Sequence, residues 1–233
     1  MEFKICKNCV LDISATEITF DAQGVCNFCR QAQKSLKEIE LDKPDLPQII
    51  DKIKQDGKGK KYDCLIGLSG GVDSSTTLHY AVELGLRPLT FGMDNGYNSP
   101  VSDENVMRLV EGLKVPYERR VSDLQKFKEL QAAFMKSGVP NIEIPTDHVI
   151  MALTYQVAKE NDIKWVLSGG NVATESIMPV SWGYQSRDLV HIKAIYKKFI
   201  GKKLKGLPLC GLLKWNIYRW WYGIRIMYLL DYV

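Results

Sequence analysis

The sequence predicts an α/β protein, a doubly wound parallel sheet preceded by a small N-terminal four-cysteine module. Three observations lead there. Apolar runs of strand length alternate with longer helix-compatible stretches from Tyr62 to Leu167, the pattern that builds parallel sheets through helical crossovers. The first of these runs ends in Ser69-Gly70-Gly71-Val72-Asp73-Ser74, a glycine loop opening a helix. Two CxxC pairs, Cys6 with Cys9 and Cys26 with Cys29, stand ahead of everything else, sixteen residues apart.

The chain divides into four parts. Residues 1–30 read as a zinc-ribbon-like module: Ile18 to Val25 suggests a short strand and a Gln23-Gly24 turn leading into the second CxxC. Two CxxC turns can aim four sulfurs at one tetrahedral ion, and a module too short for its own core takes its folding free energy from that metal. Residues 31–60 form a helical connector, helix-compatible over 31–40 and 46–53 and interrupted by Pro44 and Pro47. Residues 61–186 carry the α/β pattern. Strands are expected at 62–68, 86–93, 116–121 and 163–167. Helices are expected at about 75–84, 103–113, 124–135 and 147–161, the last with Asp147 as its cap. Residues 187–233 are a basic, aromatic-rich segment.

In sheets of this kind ligands sit beyond the carboxyl ends of the strands, at the switch in strand order. That rule gathers three loops into one site: Ser69–Ser74, Asp94–Tyr97 and Ser168–Asn171. Adjacent glycines let the backbone approach an anion, and the following helix N-terminus offers unpaired N–H groups. Ser69 and Ser74 add hydroxyls, and Asp73 can cap the helix or hold a hydrated Mg²⁺. The loop lacks the Gly-Lys-Ser/Thr ending of a Walker motif. In the third loop Gly169 and Gly170 precede Asn171 and Glu175, which share a face if a helix starts there. Trp182 and Tyr184 follow on a loop marked by Pro179 and Gly183, either as a platform for a sugar or base or as packing beside the sheet.

The 233 residues carry a net charge of +4, but Arg187 to Val233 holds ten Lys/Arg against two Asp/Glu, leaving 21 against 25 elsewhere. Such a segment suits an anionic partner or forms a solvated face. No apolar run reaches 18 residues and the N-terminus has no apolar signal region; the expectation is a cytoplasmic chain with no transmembrane segment and reduced thiols.

Ser-Gly-Gly-Val-Asp-Ser in this context resembles the PP-loop of the ATP pyrophosphatases, the adenine nucleotide alpha hydrolase type of fold. The resemblance tightens when the Cys₄ module, with its Phe20-Asp21 and Gly24-Val25-Cys26-Asn27 ending, is joined by Gly169-Gly170-Asn171, Ala173-Thr174-Glu175-Ser176 and Trp182-Gly183-Tyr184 in that order. Together these are similar to the N-acetyl sugar amidotransferases of bacterial surface-polysaccharide (O-antigen, lipopolysaccharide) biosynthesis. That family is implied to convert an acetamido group of a nucleotide-linked sugar to an acetamidino group with ATP and ammonia, releasing AMP and pyrophosphate. The resemblance implies ATP held by Ser69, Gly70, Gly71, Val72, Asp73, Ser74, Asp94, Gly169 and Gly170. Asp73, Asn171 and Glu175 are the candidates for the chemistry, Glu175 by position alone, and Asn171, Glu175, Trp182 and Tyr184 the candidates for contacts to the sugar. The resemblance also implies ATP, Mg²⁺ and structural Zn²⁺ on Cys6, Cys9, Cys26 and Cys29, and a separate ammonia-channelling glutaminase. Family members run longer beyond the basic segment, so 187–233 is read as truncated, naturally short, or part of a split enzyme. Two rivals stand beside this reading: a PP-loop tRNA thiolation enzyme, and a non-catalytic nucleotide-binding scaffold. Only Cys210 lies between Asp73 and the end, which disfavours sulfur chemistry, and no nucleic acid partner is expected.

Overall fold

The computed structural model describes residues 3–42, 45–171, 179, 182 and 185–233. At its centre is a five-stranded, all-parallel sheet in the order β3-β2-β1-β4-β5. The strands are β1 (Cys64–Gly67), β2 (Pro88–Asp94), β3 (Tyr117–Val121), β4 (Trp165–Ser168) and β5 (Arg225–Tyr228). The chain lays down β1, β2 and β3 outward in one direction, then returns to place β4 on the other side of β1. The switch point is therefore the gap between β1 and β4, where Leu65 pairs with Val166.

Alternation along the strands decides what each face buries. In β1, Leu65 points into one apolar layer, while Cys64 and Ile66 point into the other. The first layer is covered by α5 (Leu124–Ser137), α6 (Ile144–Glu160) and α7 (Leu189–Ile200), which contribute Phe127, Phe134, Val149 and Tyr196. The second is covered by α2 (Leu46–Asp56), α3 (Val72–Glu83) and α4 (Pro100–Leu113), through Ile53, Leu78, Val106 and Val110. Both faces being covered explains why β1, β2 and β4 read as nearly continuous apolar runs. Trp165 of β4 donates its indole N–H to Asp56 at 2.8 Å, pinning α2 to the sheet.

Helix α6 begins three residues before the expected start. Pro145 lies in its first turn, where a missing N–H costs nothing, and Glu143 rather than Asp147 is the flanking residue. Asp147 is thereby moved from a cap to the inside of the first turn. The segment after α7 adds two features absent from the sequence-based expectation. A short helix α8 (Leu212–Asn216) runs into a π-helical turn, 217–221, and β5 then joins β4 as an edge strand. Its only buried side chain is Met227.

At the other end, α1 (Asn27–Asp42) starts inside the second CxxC. The residues before it form isolated bridges, Ile5 with Asp12 and Phe20 with Cys26, around a small cluster of Cys6, Leu11, Ala15, Phe28 and Cys29. Gly24, at φ +82°, makes the turn, and Asp21 accepts from the amides of Gln23 and Val25. Among the described residues no helix is long and apolar enough to cross a membrane.

Candidate functional site

The glycine loop sits where β1 hands over to α3. Gly70 holds φ +78°, and a Cβ there would run into the Ser102 carbonyl at the start of α4. Only glycine fits. Gly71 is the residue preceding α3, so the amides of Val72, Asp73 and Ser74 form the helix's first turn, which lacks carbonyl partners one turn back. Their N–H groups and the helix dipole make an anion seat. The loop closes on itself through hydroxyls. Ser69 and Ser74 lie 3.2 Å apart, the Ser69 amide donates to Ser74 Oγ at 3.3 Å, and Gly71 N–H donates to Ser69 Oγ at 3.3 Å. Ser74 Oγ donates to the Gly71 carbonyl at 3.2 Å and is buried, whereas Asp73 is exposed at the mouth.

From the neighbouring strand, Gly169 presses directly onto this turn: a Cβ on it would stand 2.9 Å from the Ser74 amide nitrogen. Gly170 N–H donates to Ser168 Oγ at 3.2 Å, and Asn171 follows, half-buried. The first and third loops predicted from sequence thus converge at the β1–β4 switch point. Glu175 and Tyr184 lie outside the described residues. Trp182 packs against the apolar cluster of the cysteine module.

The second loop is tied down differently. Asp94, at the end of β2, accepts the Gly96 amide at 2.9 Å and two N–H groups of Arg119 at 3.1 and 2.8 Å. These contacts hold its carboxyl below the usual carboxylate range, the Gly96 amide contributing most. Arg119 also reaches Asp103 at 3.0 Å, clamping β3 and α4 to the end of β2. Sequence reasoning did not find Arg119, because its partners come from elements 16 and 25 residues away.

Beneath the loops opens a cavity of about 590 Å³. Ser69, Ser168, Gly169 and Gly170 line it on one side, and Asp147, Thr154 and Arg187 on another. Asp147 and Arg187 were not among the expected site residues. Asp147 still reaches solvent, yet its carboxyl is pushed up, first by the surrounding cavity wall and then by the nearby Glu143 charge. Its neighbour His148 faces the other way and is buried. Its Nδ1 lies 2.6 Å from the Ser186 carbonyl, while its Nε2 accepts the Cys210 amide at 3.2 Å. This places the proton on Nδ1, and burial lowers the pKa. The ring is a strut that holds the Arg187 segment against α6.

The four cysteines of the N-terminal module do converge, with all four sulfurs within 4.8 Å of one another. Cys6 and Cys29 stand 3.9 Å apart and Cys9 and Cys26 3.7 Å apart. A single tetrahedral ion with metal–sulfur bonds of about 2.3 Å requires sulfurs about 3.8 Å apart. The donor set therefore fits one metal ion. Burial works against a thiolate at Cys6, but the Asn8 and Cys26 amides outweigh it and bring the thiol to about 6. Burial pushes Cys9 up to about 12.

No protein-family model and no curated protein matches this sequence. Solved structures with a similar chain path include a predicted subunit of tRNA methyltransferase from Methanocaldococcus jannaschii, at 14% identity and TM-score 0.42, with 71% of this chain and 66% of that chain covered. A glutamine-dependent NAD⁺ synthetase from Acinetobacter baumannii is similar at 20% identity and TM-score 0.44, over 64% of this chain and 30% of that one. An NH₃-dependent NAD synthetase from Campylobacter jejuni is similar at 18% identity and TM-score 0.41, over 73% and 77%.

Proposed function

We propose that this chain is an AMP-forming, PP-loop amidotransferase: it activates the acetamido oxygen of a nucleotide-linked N-acetyl sugar with ATP and replaces it with ammonia. The observation that carries the reading is the close approach of Gly169 to the first turn of α3 at the β1–β4 switch point, beside a cavity that Ser69, Gly169 and Gly170 line. Such a seat binds a polyphosphate through backbone N–H groups without a lysine in the loop.

An amide oxygen is a poor leaving group. Its attack on the α-phosphorus of ATP forms an O–P bond and expels pyrophosphate, which the amides of Val72, Asp73 and Ser74 would receive. Ammonia then adds to the imidate carbon, gives up a proton, and AMP departs carrying the former amide oxygen. Asp73, exposed at the loop mouth, is the residue to hold Mg²⁺, which supplies charge neutralisation on the phosphates. Asn171 and Glu175 are assigned to orienting the acetamido group and accepting the ammonia proton, and Tyr184 to the sugar. Zn²⁺ is assigned to Cys6, Cys9, Cys26 and Cys29 in a structural role, since four protein sulfurs leave no open position. Ammonia comes from a separate glutaminase partner in the cytoplasm.

Thiolation finds little support in the thiols. Cys64 is buried in β1 and Cys210 is buried beside His148, and burial pushes both up. The decisive assay is ATP–pyrophosphate exchange with a panel of nucleotide diacetamido sugars, followed by addition of ammonium. Expected are sugar-dependent exchange, then AMP release and a product in which NH replaces O. Exchange with tRNA and none with any acetamido sugar would sink the proposal.

A further inference from the structure

Arg187 has a cavity on each side. The second, of about 600 Å³, shares Arg187, Ile226 and Tyr228 with the cavity under the glycine loop. Its walls come from β4, β5, α2, α6 and the α8 region, and they bring Lys52, Arg187, Arg219 and Arg225 together with one lining acid, Asp231, while Asp56 behind Trp165 lies within the fields of Arg225 and Lys52.

Three of these cations are arranged alike. The Arg187 guanidinium lies 5.0 Å from the Trp215 ring centre, Arg219 lies 5.4 Å from the same ring, and Arg225 lies 5.4 Å from Trp165. Among the described residues, arginine ion pairs are made by Arg30, Arg87, Arg108, Arg119 and Arg120, and by none of these three. A guanidinium laid on an indole face has its plane fixed while its N–H edge stays available, which suits the oxygens of a phosphate. The rings are themselves anchored. Trp215 donates its indole N–H to Tyr155 Oη at 2.9 Å, Tyr155 stacks on Tyr218 at 5.4 Å and 7°, and Trp165 is held by Asp56. Fixed cations beside aromatic faces, in a space of nucleotide size, match a nucleoside diphosphate.

We propose that this second cavity is the nucleoside diphosphate subsite of the sugar-bearing substrate. Arg187, Arg219 and Arg225 take the diphosphate, Tyr228 offers a face to the base, and the sugar passes by Arg187 into the cavity that holds ATP. The assignment rests on the amidotransferase reading for its choice of substrate, but the binding it requires is measurable alone.

The test is titration of UDP, GDP, CDP and dTDP into the full chain, saturated beforehand with a non-hydrolysable ATP analogue. At least one diphosphate is expected to bind with the first cavity filled, and Arg219→Ala with Arg225→Ala to weaken it by about tenfold or more, leaving the analogue's affinity unchanged. Absence of binding by all four overturns the subsite, as does undiminished binding by the double variant. If that variant loses its melting transition, Arg219→Lys substitutes: it keeps the charge and loses the fork, and undiminished affinity there also overturns the proposal. Diphosphate binding without acetamido-dependent exchange would keep the subsite and remove the reaction. Exchange with a sugar carrying no nucleotide would do the reverse.

Discussion

The cysteine module and the parallel sheet solve the same problem by different means. The sheet buries two apolar layers, with Leu65, Phe127 and Tyr196 on one face and Ile53, Ile66 and Leu78 on the other, all essentially inaccessible. The module has only a handful of buried side chains, half of them the cysteines themselves. Burial of that extent cannot offset the chain entropy of residues 3–29. What remains is four sulfurs at spacings that fit one ion. Packing holds the first region together, and ligation of an ion by those sulfurs is what we assign to the second. Among the described residues, Trp182 packs on the module's cluster from outside it.

Removing the metal should therefore break one region and spare the other, and this is the largest effect expected. Structural zinc in small modules contributes on the order of 10 kcal/mol or more at neutral pH. Cys26→Ser, or a strong chelator, should abolish hydrogen-exchange protection in residues 3–26 while the amides of β1, β2 and β4 keep theirs. One ion per chain should be found before treatment and none after. A module that stays protected without metal would erase the contrast.

How legible each region was follows from the same physics. Four cysteines in two CxxC turns and a Gly-Gly after an apolar run are local signals, and both were readable. Strands β1, β2 and β4 showed because they are buried on both faces. β5 did not, because Arg225, Ile226 and Tyr228 are exposed and Met227 alone points inward. An edge strand with one buried residue reads as part of a basic tail. Asp147 reads as a cap because Asp is a favoured N-cap, yet the helix tolerates Pro in its first turn and starts earlier. The Asp94–Arg119–Asp103 cluster joins β2, β3 and α4, and such pairings exist only once the sheet is assembled. The aromatic and basic residues of the second cavity are scattered from Lys52 to Tyr232 for the same reason.

Within the sheet region, two adjacent glycines offer a sharper and smaller comparison. Gly70 combines φ +78° with a carbonyl in the path of any Cβ, whereas an added Cβ at Gly71 meets only Ser69 Oγ, at 3.4 Å. Gly70→Ala should cost about 1–3 kcal/mol of stability and, by displacing the first turn of α3, most of the ATP affinity. Gly71→Ala should leave the melting temperature nearly unchanged. Equal melting temperatures for the two variants would show that the Ser102 carbonyl yields without cost, and that the loop is less rigid than its hydroxyl network indicates.

The smallest effects expected separate two carboxylates, Asp94 at the end of β2 and Asp147 at the cavity wall. Asp94 is held low by the Gly96 amide and Arg119, so its folded state favours the charge. Its contribution is present above the ordinary carboxylate pKa and is lost as pH falls through the lowered one. Asp147 is pushed up by its surroundings and Glu143, so its folded state favours the proton. Its ionisation weakens the fold as pH rises from the ordinary carboxylate value through the raised one. Asp94→Asn should accordingly lower the melting temperature near pH 7, by an amount that shrinks as pH falls below the ordinary carboxylate value toward the lowered one. Asp147→Asn should raise it slightly near pH 7 and leave it alone at about pH 3. Opposite signs at neutral pH are the signature. Asp94 is then a strut already neutralised by its own arginine, while Asp147 is a carboxyl kept at a cavity wall against the interest of stability, as groups reserved for a ligand or a proton commonly are.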